Sequence, residues 1–396
     1  MIRHAFKMIW NRKKRNFLLM SEIFFSFIVL FAVAAMAISS TVKYLKPLGF
    51  SHDNVWVLSV GQYEVSSELS ESERREIISQ MNQELLSCSE VRKVSWSSFN
   101  HPYRPARIGT YLNFEGQKYS VDYFMVDDDF ADVMNLRLLQ GRWFSREDDA
   151  SPMKPIVVNR QLKEELFGDV SPVGYVHAEE TKEYVVVGVV DDYRYGGEFE
   201  EHGPGFFERH VLADTASELP DIALISVRER TGVMYEERIT KRLSSIAQGW
   251  PLQMKTLSDW RAAYIKEYMF TLIIMGTVAG FLVFNVALGL FGVLWYSISR
   301  RRGEIGLRRA VGADGRQVSK QILGEALVMS TFAVIVGVFI AVQVPILDLV
   351  AGIENTIYVF AIACSAGLIY LIVSVCALYP SWLAARIQPA AALHDE

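Results

Sequence analysis

The sequence predicts a membrane protein with four transmembrane α-helices and a large α+β extracytoplasmic domain between the first and second spans. Three observations carry this. The 51% hydrophobic content of the 396 residues is concentrated in four blocks nearly free of charge. Between the first and second blocks lies a long stretch of mixed pattern with no comparable apolar run. The formal charge of −5 also hides a split: residues 43–267 hold 26 Lys/Arg against 37 Asp/Glu, while the remainder holds 14 against 8. The basic remainder flanks the apolar blocks, as cytoplasmic loops do.

Residues 1–16 carry Arg3, Lys7, Arg12, Lys13, Lys14 and Arg15, with Ile2, Phe6, Ile9 and Trp10 near helical spacing. This pattern predicts an amphipathic helix on the cytoplasmic membrane surface. Residues 17–42 form the first span, about 39 Å of helix at 1.5 Å per residue, with Glu22 as its one charge. Ala35 and Ala37 resemble a leader-cleavage site behind a basic start. The charge inside the apolar run and the long patterned basic region favour a retained helix.

Residues 43–257 form the extracytoplasmic domain. Alternation predicts a strand over 54–60, and Ile77, Ile78, Met81 and Leu85 give one face to a helix over 70–86. Strands follow over 119–126 and 155–158, a helix over 160–167 and a buried strand over 184–190 ended by Asp191 and Asp192. Gly196, Gly197, Gly203 and Gly205 with Pro204 mark a loop. A strand, helix and strand over 222–227, 235–246 and 252–257 complete the series, which suits two subdomains, one inserted in the other.

Residues 258–299 form a stalk continuous with the second span. Their charge-free part is about 48 Å long, against a hydrocarbon core of ~30 Å. This helix is expected to project outward and join the external domain rigidly. The third and fourth spans occupy 322–344 and 356–379; Asp348 and Glu354 lie between them with no Lys or Arg, so that turn is external. Residues 380–396 form a cytoplasmic tail, which leaves both termini inside. Trp10, Trp295 and Trp382 fall at the inner interface and Tyr44 and Tyr264 near the outer one.

The loop at 300–321 is basic and built. Seven Lys/Arg, from Arg300 to Lys320, stand against Glu304 and Asp314. Glu304 and Arg308 have favourable i, i+4 spacing for a helix pair. Gly312 supplies a helix stop, and Asp314 with Gln317 makes a capping box for the next helix.

No phosphate-binding loop, zinc-protease motif or nucleophile elbow occurs, and the seven His and three Cys (Cys88, Cys364, Cys376) lack metal or disulfide spacing. Catalysis has no foothold here. Asp127, Asp128 and Asp129 lack the alternate spacing of a calcium loop and read as a solvated acidic turn. Glu22 and Glu325 are ionisable groups within spans, hence functional candidates. A plainer reading has each hydrated near the cytoplasmic face, or paired with Arg15 or Lys320.

The run Arg302-Gly303-Glu304-Ile305-Gly306-Leu307-Arg308-Arg309-Ala310-Val311-Gly312-Ala313, with Glu325-Ala326 after it, resembles the signature of FtsX-like permeases of ATP-binding-cassette systems. Gly141-Arg142-Trp143-Phe144, Val157-Val158-Asn159, Leu166-Phe167-Gly168, Pro172-Val173-Gly174 and residues 184–191 resemble a MacB-type periplasmic core. Pro380, Ala384-Ala385, Pro389 and Ala392-Leu393 are similar to the family's cytoplasmic tail.

The resemblance implies a bacterial inner-membrane protein that works as a dimer with a second copy or a paralogue. It implies a coupling helix seated on a separate ABC ATPase homodimer through Glu304, Ile305, Gly306, Leu307, Arg308, Arg309 and Gly312. No cofactor is expected on this chain, since ATP and Mg would lie on the ATPase. Membrane lipids are expected partners, a periplasmic adaptor or outer-membrane channel would join an efflux system, and nucleic acid is not expected. Two functions follow: mechanotransmission in efflux of peptides or small hydrophobic molecules or in lipoprotein handling, or a non-transport regulator that moves an envelope enzyme or passes a signal.

The charge asymmetry makes the topology testable. With single cysteines introduced at Glu200 and Arg308, an impermeant reagent added outside the cytoplasmic membrane should label the first and spare the second. External labelling at Arg308 would overturn the arrangement.

Overall fold

A computed structural model describes residues 13–61, 69–99, 101–104, 108–178, 183–214, 218–229, 231, 233–247, 249–350 and 352–385. The amphipathic helix expected at 1–16 falls largely outside these residues, as does the tail beyond 385. In chain order, helix α1 (Lys13–Leu45) precedes strand β1 (Val55–Val60), helix α2 (Glu71–Ser87) and strands β2 (Val91–Phe99), β3 (Gly109–Phe114) and β4 (Gln117–Val126). Then come α3 (Phe130–Met134), β5 (Leu138–Gly141), β6 (Lys154–Asn159), α4 (Arg160–Phe167), β7 (Val176–Ala178), β8 (Glu183–Val190) and β9 (Gly205–Arg209). The chain continues through β10 (Ile222–Val227), α5 (Val233–Ile246), β11 (Leu252–Thr256), α6 (Leu257–Arg300), α7 (Arg302–Ala310), α8 (Gly315–Ile346) and α9 (Asn355–Ala385). Two compact units result: residues 1–42 with 269–396, and residues 43–268.

In the second unit the strands join in the order β11-β1-β10-β2-β4-β9-β6-β8-β5, with β3 added on β4 and β7 on β8. The first four are antiparallel neighbours, and α2 and α5 supply the helices of a split βαβ arrangement. Residues between β2 and β10 form the inserted part, which continues the same sheet through the antiparallel pair β2–β4 and the parallel pair β4–β9. Where the sequence reading expects two subdomains, the strands form one continuous sheet within one compact unit.

Packing follows the alternation. Trp56, Leu58 and Val60 of β1 face a core with Ile77, Ile78, Met81 and Leu85 of α2 and Ile239 and Leu243 of α5. Val55 and Val57 face the opposite core, where Phe124, Phe130, Tyr193 and Phe207 interlock. The Phe124 and Phe207 rings stack at 4.7 Å. Ser70 starts α2 with a capping box on Glu73, whose carboxylate accepts from the Ser70 N–H at 2.8 Å, and Asn159 caps α4 by accepting from Leu162 N–H.

Three expectations are corrected. β2 was not predicted, because Ser95, Ser97 and Ser98 interrupt its apolar pattern, yet all three are buried. The glycine-rich loop ends earlier than its composition implies, since β9 begins at Gly205, whose close approach to Asp122 and Phe124 leaves little room for a side chain. The acidic turn is not loosely solvated. Asp127 accepts from Ser95 Oγ and Trp96 N–H at 2.6 and 2.7 Å. Asp128 takes Arg209 at 2.6 and 2.8 Å, and Asp129 takes Lys93 at 2.9 Å.

In the first unit, α1, α6, α8 and α9 are each long and apolar enough to cross a membrane. They are longer than the predicted spans: α8 adds a turn or more at its start, and α9 runs through Pro380 to Ala385. Glycines seat α1 among its neighbours. A Cβ at Gly337 of α8 would lie 2.4 Å from the Phe27 ring, and one at Gly289 of α6 would lie 2.6 Å from the Glu22 carboxylate. Trp295 and Tyr379 stack with rings 5° from parallel, and Trp382 stacks on Tyr379, an aromatic group where the reading put an interfacial belt.

His101, 3% exposed, sits edge-on to Trp260. Burial, with nearby Arg104, lowers it from 6.5 to about 4. The unfolded chain therefore binds more protons between those values. The stability that comes from keeping the ring neutral is complete above about pH 6.5 and is lost as pH falls toward 4. His101→Gln removes this loss. In urea unfolding of the detergent-purified chain, the wild-type advantage over the variant should shrink on going from pH 7.5 to 4.5, by at most ~3 kcal/mol. A pH-independent gap would show that the ring titrates alike in both states.

Candidate functional site

The basic hairpin between α6 and α8 is the candidate site, and its backbone is fixed by local chemistry. After α6, Arg301 N–H bonds Ile298 O at 3.1 Å, and Ile305 N–H bonds Arg301 O at 2.9 Å. The nine residues of α7 end at Ala310, and the turn that stops them contains Gly312, whose φ of +103° only glycine adopts freely. Ala313 N–H returns to Arg308 O at 3.0 Å, the six-to-one bond of a Schellman stop. Asp314 then caps α8, its own N–H donating to Gln317 Oε1 at 3.4 Å.

Side chains close this hairpin into a ring of polar contacts. Arg301 donates to Glu304 Oε2 at 3.0 Å and to Glu325 Oε2 at 3.0 Å. Arg308 donates to Glu304 Oε1 at 2.6 Å and to Gln321 Oε1 at 2.8 Å. Gln321 Nε2 reaches Glu325 Oε1 at 3.0 Å. The carboxylate of Glu304, then that of Glu325, raises Arg301 above its ordinary value. Beneath the ring, Ile305 is buried beside Leu294, Ile298, Val318 and Ile322.

Placement of the predicted site residues is therefore uneven. Glu304 and Arg308 form the expected i, i+4 pair but are engaged within the chain, and Ile305 and Gly306 turn inward. Leu307 is 56% exposed and Val311, just past the helix, 83%; Arg302 at the helix start is exposed as well. The side chain of Arg309 lies outside the described residues. Glu325 pairs with Arg301 and not with Lys320. Glu22 rests against Gly289 and has no ion pair among the described residues, and the Arg15 side chain lies outside them. Arg301 and Gln321 are the contributors that sequence reasoning missed, although their spacings to Glu304 and Glu325, three and four residues, were legible.

Arg301 holds two carboxylates at once. Its side chain is 14% exposed and those of its two partners 44% and 26%, so its loss removes charge-assisted bonds to both carboxylates at once. Arg301→Met should destabilise the hairpin by about 1–3 kcal/mol, read as a lower thermal midpoint in detergent. The exposed control Lys320→Met should change stability by less than ~0.5 kcal/mol. Equal losses from both would remove Arg301 from the centre of the network.

Comparison with known proteins shows the family. Residues 24–235 match the MacB-like periplasmic core domain and residues 264–389 the FtsX-like permease C-terminal domain. The chain is 25% identical over 379 residues to a macrolide export ATP-binding/permease protein MacB of Bdellovibrio bacteriovorus, covering 92% of this chain and 56% of that protein. It is 23% identical over 283 residues to a pyoverdine export ATP-binding/permease protein PvdT of Pseudomonas savastanoi pv. phaseolicola, covering 68% and 42%. The chain thus spans about half the length of the curated relatives it matches. Among solved structures, the periplasmic region of MacB from Actinobacillus actinomycetemcomitans aligns with a TM-score of 0.40 at 17% identity, covering 57% of this chain and 97% of that one. With the core-domain match covering more than half of the chain and the permease match taking in the hairpin and the last three spans, the protein belongs to the MacB-like, FtsX-like family of ABC transporter permeases.

Proposed function

We propose that this chain is the membrane subunit of a mechanotransmitting ABC exporter, driven by ATP hydrolysis on an ATPase that docks against the hairpin. The observation that carries the reading is the division of labour within α7. Ile305, Glu304 and Arg308 are committed to the chain itself, whereas Leu307 and, just past the helix, Val311 are left exposed. A framed helix with an outward apolar pair is suited to a groove on a partner. It carries force, because its frame ties it to both α6 and α8 through Arg301 and Glu325.

The names of the relatives support export over regulation. Both the macrolide and the pyoverdine proteins are described as ATP-binding/permease exporters. In this reading the ATPase is a homodimer carrying ATP and Mg, the permease pairs with a second copy or a paralogue, and an adaptor or outer-membrane channel completes the path. The cargo class is a peptide or small hydrophobic molecule.

The outward pair gives a sharper test than Glu304 or Gly306, whose replacement would disturb the permease's own hairpin. Leu307→Gln with Val311→Gln leaves charge, and hence topology, unchanged. Co-purification with the ATPase should fall at least tenfold while the amount of permease in the membrane stays the same. Undiminished ATPase binding by the double variant would exclude α7 as the docking helix. Recovery of an envelope hydrolase with the wild-type complex, in place of an adaptor or channel, would favour the regulatory alternative.

A further inference from the structure

The segment 193–201, Tyr-Arg-Tyr-Gly-Gly-Glu-Phe-Glu-Glu, leaves β8 and touches both helices that run between the membrane spans and the external domain. Arg194 is 4% exposed. Its guanidinium donates to Lys43 O at 3.0 Å in the last turn of α1, to Lys46 O at 3.1 Å just past it, and to Glu198 O at 2.6 Å. Carbonyls at a helix C-terminus lack partners of their own and favour a cation. One buried arginine therefore binds the end of α1 to this segment.

The same segment grips α6. The Glu198 side chain, 3% exposed, pairs with Arg261. Phe199 lies flat on Tyr268 with ring centres 3.9 Å apart, and also stacks on Tyr264 at 6.0 Å and on Tyr44 of α1 at 6.0 Å. Gly197 permits this approach. Its φ is +94°, and a Cβ there would come within 2.6 Å of the Tyr264 ring. Tyr44 and Tyr264, expected to mark the outer membrane interface, are thus ring partners of Phe199.

We propose that residues 193–201 are a clasp that locks the C-terminal end of α1 to the first three turns of α6, so that these two helix ends are held together with the external domain. The lock stands on the contacts alone, whereas its use in passing force rests on the function proposed above. Arg194, Glu198 and Phe199 act as positioning residues.

The test uses the full chain in its membrane complex with the ATPase. Hydrogen exchange is followed at residues 43–48 and 193–201, with β10 as internal reference. Glu198→Gln removes the charge pair and Phe199→Ala the stack, while Phe199→Tyr keeps it. The first two variants should raise exchange at 43–48 at least tenfold with β10 unchanged, and Phe199→Tyr should match the wild type within about twofold. Unchanged exchange at 43–48 overturns the clasp. So does loosening of β10 in both variants, since the segment would then be an ordinary part of the core.

A second arm separates the two readings. Addition of ATP and vanadate should change exchange in the external domain of the wild-type complex. In Glu198→Gln that response should be lost while ATP turnover stays within twofold. A full response in a variant whose clasp has opened removes the transmitting role. No response in the wild type counts against the proposed function and leaves the clasp to be decided by the first arm.

Discussion

Every peptide group that lies in hydrocarbon must find its hydrogen-bond partner inside its own helix, and the rest of this structure depends on how α6 meets that demand. Its 44 residues, about 66 Å of helix, continue without a break from the end of β11 to Arg300. A helix satisfied along its whole length leaves only its ends and flanks open to other contacts. Arginine is used near both ends. Arg261 pairs with a buried glutamate of the external domain, and Arg301, just past the helix, gathers Glu304 and Glu325.

The two arginine sites differ in kind. The Arg301 ring is partly solvated, and each of its contacts is individually worth little, as exposed ion pairs are. Its closure through Gln321 makes it a geometric constraint on where α7 can point. The Arg194 and Glu198 site is buried: backbone carbonyls hold Arg194, and one opposing charge holds Glu198. Breaking one partner there strands another. The hairpin can therefore tolerate adjustment that the clasp cannot.

Much of this was legible in the sequence. The four apolar blocks, the basic hairpin, the Gly312 stop and the Asp314 start came from local rules, because lipid burial and helix capping are written in adjacent residues. Helices over 70–86 and 160–167 lie within a residue of those in the structure, the first legible through its one-sided apolar face. Short or polar strands escaped. β2 hides Ser95 and Ser97 against its neighbours, β5 has four residues, and β9 starts in a glycine cluster. Such strands exist because a partner strand waits for them, and pairing across a hundred residues leaves no local trace. The site was half legible for the same reason: Glu304 and Arg308 announced each other by spacing, but which side of α7 faced outward depended on Ile305 meeting Ile298 and Val318.

Gly49 and Gly197 border the ends of the two helices, with φ values of +79° and +94°. At Gly49 a Cβ would fall 1.7 Å from the Asp192 carbonyl oxygen, and at Gly197 it would meet two tyrosine rings. No amino acid is smaller than the one already present, so every point change at either codon adds atoms where none fit. Random drift can therefore reshape the exposed tips of this domain gradually, but the region around these two positions can change only by replacement of whole segments at once. A library of single substitutions would show it as two positions of intolerance, out of proportion to their size.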